Sequence, residues 1–181
     1  YIDPSLYQKY EVKRGLRDIS GKGVLAGLTE IAEVHAYVID EGEMVPCDGK
    51  LYYRGINIED LTKGFTCENR FGFEETVYLL LFGQLPNKEE LEKFCKLLNV
   101  FRMYNSYTLR EIATDHPSAN VMNTIARSVL TLYSYDSQPD DTSIANVLRQ
   151  SINLISKFPS ICVYGYQSYE NMKKDAGHKI R

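Results

Sequence analysis

Residues Leu51 to Leu98, LYYRGINIEDLTKGFTCENRFGFEETVYLLLFGQLPNKEELEKFCKLL, decide the fold, because three local signals follow one another there without conflict. Leu51-Tyr52-Tyr53-Arg54 is aromatic and follows the turn-forming pair Asp48-Gly49, so it reads as a short strand leaving a hairpin. Gly55 breaks the strand. Asn57, with Asp60 three residues on, opens a short helix whose apolar members are Ile58 and Leu61 and which Gly64 ends. From Phe73 the residues Phe73, Val77, Leu80 and Leu81 recur at helical spacing, and Tyr78, Leu79 and Phe82 widen the stripe until little of the surface can face water. The spacing predicts a helix deep in the core. Gly83 suits its C-terminal residue and Pro86 prevents continuation. Asn87 with Glu90 then reads as the cap of a further helix, Lys88 to Leu98, with Leu91, Phe94, Cys95 and Leu98 on one face.

Upstream, Asp3-Pro4 begins a short helix containing Leu6 and Tyr10. Gly15, Gly21, Gly23 and Gly27 make Arg14 to Leu28 a poor candidate for regular structure. Between Ala32 and Ile39, Val34, Ala36 and Val38 alternate with His35, Tyr37 and Ile39, a strand pattern that pairs with Leu51 to Arg54 across a polar loop. The product is a small antiparallel ribbon, which needs neighbouring helices for support.

Downstream, Thr108 with Glu111 offers a capping box for a short helix. Pro117 suits the first position of another, in which Met122, Ile125, Ala126, Val129, Leu130 and Tyr133 form one core-facing stripe. Ser134 to Asp141 is a polar loop. Thr142 caps a helix carrying Ile144, Val147, Leu148, Ile152 and Ile155, and Pro159 separates it from a last helix with Ile161, Tyr164, Ser168 and Met172 at roughly helical intervals.

The order Tyr53-Arg54-Gly55 with Ile58 and Leu61, then Phe73-Glu74-Glu75 through Leu85-Pro86, then a charged amphipathic helix, resembles the N-terminal part of the citrate synthases. Asp115-His116-Pro117 before a long helix and the step Lys157-Phe158-Pro159 extend the resemblance from about Leu25 to Tyr169. One departure is Ser118-Ala119, where many relatives carry a methionine. The resemblance implies a mainly α fold, the multi-helical large domain of that family with a small N-terminal antiparallel β-ribbon. It implies that residues 1–181 form the N-terminal portion of this domain, with the small domain and the remaining catalytic segments absent.

Size and composition set wider limits. A chain of 181 residues can bury about 70% of the surface that its unfolded form exposes. The 44% hydrophobic content and fourteen tyrosines exclude a disordered chain. With net charge −3 and interspersed signs there is no electrostatic case for nucleic acid; Lys9, Lys13, Arg14 and Arg17 are diluted by Glu11 and Asp18 and read as a solvated helix face. Cys47, Cys67, Cys95 and Cys162 form no C-x-x-C pair, so they read as four reduced thiols and suggest neither zinc nor redox chemistry. The run Val77 to Phe82 is too short to span a bilayer, and the expected location is the cytoplasm. The chain begins Tyr1-Ile2-Asp3 without methionine, which leaves open a preceding segment.

Acid-base chemistry near neutral pH directs attention to the three histidines. His35 lies in the ribbon without a carboxylate partner in any motif and reads as ribbon packing. His116 reads as capping a helix N-terminus, whose N–H groups could instead hold a ligand phosphate; the resemblance adds that some relatives bind a regulatory nucleotide near the matching position. Gly177-His178-Lys179 superficially matches a G-H-R stretch of the family, but in the wrong order relative to the other motifs. Gly21-Lys22-Gly23 lacks the strand a phosphate loop requires. Glu74-Glu75 and Glu89-Glu90 point in different directions on their helices and read as solvent-facing or capping groups.

No catalytic, cofactor-binding or metal-binding residue is therefore assigned, and no cofactor is expected. The resemblance implies an acyltransferase of the tricarboxylic acid cycle, citrate synthase, condensing acetyl-CoA as co-substrate with oxaloacetate. An aspartate would remove a methyl proton, one histidine would stabilise the enol, and a second would polarise the keto acid carbonyl. None of the three can be placed in this sequence, so the chain alone is expected to be inactive. The expected assembly is a homodimer or higher homo-oligomer, with no membrane or nucleic-acid partner. The alternatives are a 2-methylcitrate synthase relative and a helical ligand-binding or scaffold module without catalysis.

Overall fold

The computed structural model describes residues 2–10, 12, 23–25, 27–103 and 106–178, leaving out the side chains of residues 8, 106 and 175–178. Most of the dilute basic cluster and of the glycine-rich stretch, including residues 13–22, lies outside the described residues. The chain divides into two compact units, Tyr1–Leu91 and Glu92–Arg181.

In the first unit, the Asp3 carboxylate accepts the Ser5 N–H at 2.9 Å and opens helix α1, Ser5–Lys9. Strands β1 (Ala32–Asp40) and β2 (Glu43–Tyr53) pair antiparallel from Ala32↔Tyr53 to Asp40↔Glu43, and β3 (Ile56–Asn57) adds to β2. The ribbon is longer than the sequence predicts. Its turn is Glu41-Gly42, both left-handed at φ 46° and 86°, and not Asp48-Gly49, which sits inside β2 beside an irregularity between His35 and Tyr37. Two consecutive left-handed residues give a turn whose twist matches the strands, so pairing continues through the stretch expected to be loop. Arg54-Gly55 repeats the device at φ 50° and 81°.

The Asn57 side chain accepts the Glu59 N–H at 2.9 Å and caps α2, Ile58–Cys67, which runs through Gly64 instead of ending there. A glycine inside a helix costs only about 1 kcal/mol relative to alanine, so it weakens the helix without stopping it. Helix α3 (Phe73–Phe82) ends as predicted, with Gly83 left-handed at φ 82° and its N–H on the Leu79 carbonyl at 2.8 Å. Its buried face differs from the expectation. Leu79 is fully buried, Leu80 is half-buried, and Phe73 and Phe82 are exposed. Gly72 leaves room for the Phe65 ring, which a Cβ there would meet at 2.2 Å and have to displace. At the start of α4 (Lys88–Met103) the Asn87 side chain accepts the Glu90 N–H at 3.0 Å and the Glu90 carboxylate accepts the Asn87 N–H at 2.8 Å, the reciprocal box read from sequence. The helix continues past Leu98, and Phe94 and Leu98 are buried.

In the second unit α5 (Ser106–Thr114), α6 (Val121–Leu132) and α7 (Ile144–His178) pack on one another, with a 3-10 turn at Tyr133–Tyr135. Two of the predicted starts shift to another side chain, and the third falls inside its helix. Thr108 lies inside α5, Asn120 and not Pro117 opens α6 by accepting the Asn123 N–H at 3.1 Å, and the Ser143 hydroxyl, not Thr142, accepts the Asn146 N–H at 3.4 Å before α7.

Helix α7 also passes through Pro159 instead of breaking there. In the preceding turn the Ser156 hydroxyl donates to the Ile152 carbonyl at 2.7 Å, and Arg102 Nε donates to the Ser156 carbonyl at 3.3 Å. Buried Ile152, Ser156 and Ile161 hold the helix on both sides of the proline. Packing thus outweighs the roughly 3 kcal/mol that an interior proline costs.

The buried face of α6 is rotated by about one residue relative to the prediction, with Ile125 and Val129 half-buried as members of both faces. Met122, Leu130 and Tyr133 face solvent, while Thr124 and Ser128 are buried. The Ser128 hydroxyl donates to the Thr124 carbonyl at 2.8 Å, so burying it strands no donor. On α7, Gly165 would place a Cβ only 3.3 Å from Thr124 Cγ2, a contact that brings the two helices close through small side chains.

Candidate functional site

Where α5 meets α6, the second unit contains a cavity of about 450 Å³ whose polar walls include Thr108, Glu111, Asp115, His116, Arg127 and Tyr135. Helical spacing puts Thr108 and Glu111 on one face of α5, and Asp115 follows one turn later. Arg127 reaches back from α6: its Nη2 donates to the His116 carbonyl at 2.6 Å and its Nε to the Asn123 side chain at 3.1 Å. The result is a fixed guanidinium in a concavity that also presents two carboxylates and an imidazole. Such a set can hold a small polar ligand by charge and hydrogen bonds.

The histidines end in three different settings. His116 is not at a helix N-terminus, since α6 begins at Val121, and it bonds through its main-chain carbonyl. Asn120 does the capping expected of it. His35 does have a carboxylate partner: its Nε2 lies 2.7 Å from Glu33 Oε1, and its ring meets Tyr52 edge-on at 5.8 Å. The i, i+2 spacing that puts two strand residues on one face was the available signal. His178 is the last residue of α7, and its side chain and Lys179 lie outside the described residues.

The acidic pairs also separate. Glu90 caps α4 as read, whereas Glu75 is buried, with one carboxylate oxygen 2.5 Å from an Arg70 guanidinium nitrogen. Glu75 therefore ties the α2–α3 connection to α3. Glu68 adds a second carboxylate to Arg70, and the two hold its guanidinium above its ordinary pKa, Glu75 contributing most.

A second polar cluster, which the sequence did not disclose, fastens the loop after α6 to α7. Buried Asn146 donates to the Gln138 and Asp141 carbonyls at 2.9 and 2.7 Å and accepts Arg149 Nε at 2.9 Å. Arg149 Nη2 meets Asp136 at 2.6 Å. The Gln138 N–H, and then Arg149, hold the Asp136 carboxyl below its ordinary range against the opposing effect of burial. Nearby Lys157 is buried, which pushes its ammonium pKa down while the Asp136 charge pulls it up. These groups are committed to loop geometry.

No disulfide joins the four cysteines. Among the described residues, no three His, Cys, Asp or Glu side chains gather as a metal site, and no helix is long and apolar enough to cross a membrane.

The fold and the motif order meet in one finding: a family model described as "Citrate synthase, C-terminal domain" matches residues 16–179. The chain belongs to the citrate synthase family. A 2-methylcitrate synthase 1 of Corynebacterium glutamicum is 25% identical over 151 residues, 83% of this chain and 34% of that protein. A citrate synthase-related protein of Dictyostelium discoideum is 30% identical over 124 residues, 68% of this chain and 28% of that protein. The chain thus spans about a third of the length of these curated relatives. The crystal structure of citrate synthase from Pyrobaculum aerophilum is similar in fold, with a TM-score of 0.59 at 24% identity over 88% of this chain and 40% of that one.

Proposed function

We propose that these residues are the N-terminal portion of the large domain of a citrate synthase, an acyltransferase that joins acetyl-CoA to oxaloacetate and releases citrate and CoA. The observation that carries this reading is the family match over residues 16–179. The order of the Tyr53-Arg54-Gly55, Phe73-Glu74-Glu75 and Asp115-His116-Pro117 segments supports the N-terminal placement. The whole enzyme would be cytoplasmic and homodimeric or larger. The solvent-facing apolar residues Met122 and Leu130 of α6, Tyr133 of the turn after it and Ile144 of α7 support a partner surface on the second unit.

The reaction needs a base for the acetyl methyl proton and donors for the developing enolate and for the keto acid carbonyl. The three histidines do not supply this set. His35 is paired with Glu33 on the ribbon, His116 bonds through its carbonyl beside Arg127, and His178 stands in the wrong motif order. The chain by itself is therefore inactive, and the residues that do the chemistry belong to other segments of the enzyme. Its own contribution is scaffold: the polar clamp between α7 and its preceding loop, and the close α6–α7 contact.

The 25% identity to a 2-methylcitrate synthase favours a second reading, in which propionyl-CoA replaces acetyl-CoA. A thiol-release assay with oxaloacetate and either thioester tests both parts. The 181-residue chain is expected to release no CoA above the no-enzyme control. Release would overturn the inactivity. The enzyme comprising the remaining family segments should turn over one thioester faster than the other, which identifies the acyl donor; turnover of neither would overturn the synthase reading.

A further inference from the structure

We draw no further inference here: the strongest candidate, the apolar face of the β1–β2 hairpin on which Tyr37, Ile39, Met44 and Pro46 are exposed, carries none because nothing in the structure shows what covers it.

Discussion

The guanidinium of Arg54, in the left-handed turn between β2 and β3, donates to the main-chain carbonyl of Leu80 in the last turn of α3 at 2.9 Å. Carbonyls at that end of a helix lack intrahelical donors and carry the negative end of its dipole, so a cation is the matching partner. The bond fixes the ribbon to α3. Arg54→Ala should lower unfolding stability by about 1.5–3 kcal/mol, the range for a hydrogen bond to a charged group. Arg54→Lys should recover part of this loss, because a single ammonium can reach the carbonyl but lacks the planar fork. Urea midpoints of the three proteins check the order; an Arg54→Ala midpoint equal to that of the parent would refute the role.

Much of this unit was legible because its signals are local. Asn57, the Asn87–Glu90 pair and Gly83 act on backbone within four residues of themselves, and all three perform as read. The choice between Leu79 and Leu80 was not legible, since an all-round apolar helix does not say which side faces the interior. Burial decides for Leu79. Leu79→Ala should cost about 2–5 kcal/mol, the range for large-to-small substitutions in a packed interior. Leu80→Ala should cost clearly less, and thermal melts of the pair provide the comparison.

The rotated face of α6 was illegible for a different reason. Thr124 and Ser128 look polar in sequence, yet the Ser128 hydroxyl turns inward to a helix carbonyl, and Gly165 supplies room on the opposing helix. Gly165→Leu should destabilise the second unit by about 1–3 kcal/mol through overpacking. Gly165→Ala places the longer burden on Thr124 Cγ2, 3.3 Å away, against a helix-propensity gain of about 1 kcal/mol. Removing that methyl with Thr124→Ser should let the gain appear. The double-mutant cycle should therefore show favourable coupling between Thr124→Ser and Gly165→Ala; strictly additive effects would place the contact elsewhere.

The same rotation leaves Leu130 74% exposed. Its substitution by arginine should change folding stability by no more than about 0.5 kcal/mol, as surface substitutions usually do. If α6 carries the proposed partner surface, Leu130→Arg should also shift the solution mass toward the monomer. Light scattering with parallel denaturation separates the two effects. An unchanged mass for a protein whose parent self-associates would remove α6 from the interface.

Asp136 links chain position to pH dependence. Its carboxyl is held low chiefly by the Gln138 N–H at 2.9 Å, with Arg149 at 2.6 Å assisting, while burial works in the opposite direction. A carboxyl whose pKa is lower folded than unfolded contributes stability above its unfolded value, near 3.9, and loses that contribution as pH falls through the folded value. The sign is fixed: below about pH 4 the unfolded chain binds the extra proton, so acid selectively weakens the parent. Asp136→Asn keeps the side chain's shape but removes the charge that Arg149 and Lys157 face. It should therefore be less stable than the parent at pH 7, with the difference shrinking as both are acidified through pH 4 toward pH 2. Denaturation at a series of pH values measures that convergence. A gap that stays constant across this window would show that Asp136 holds the loop through hydrogen-bond geometry alone, without its charge.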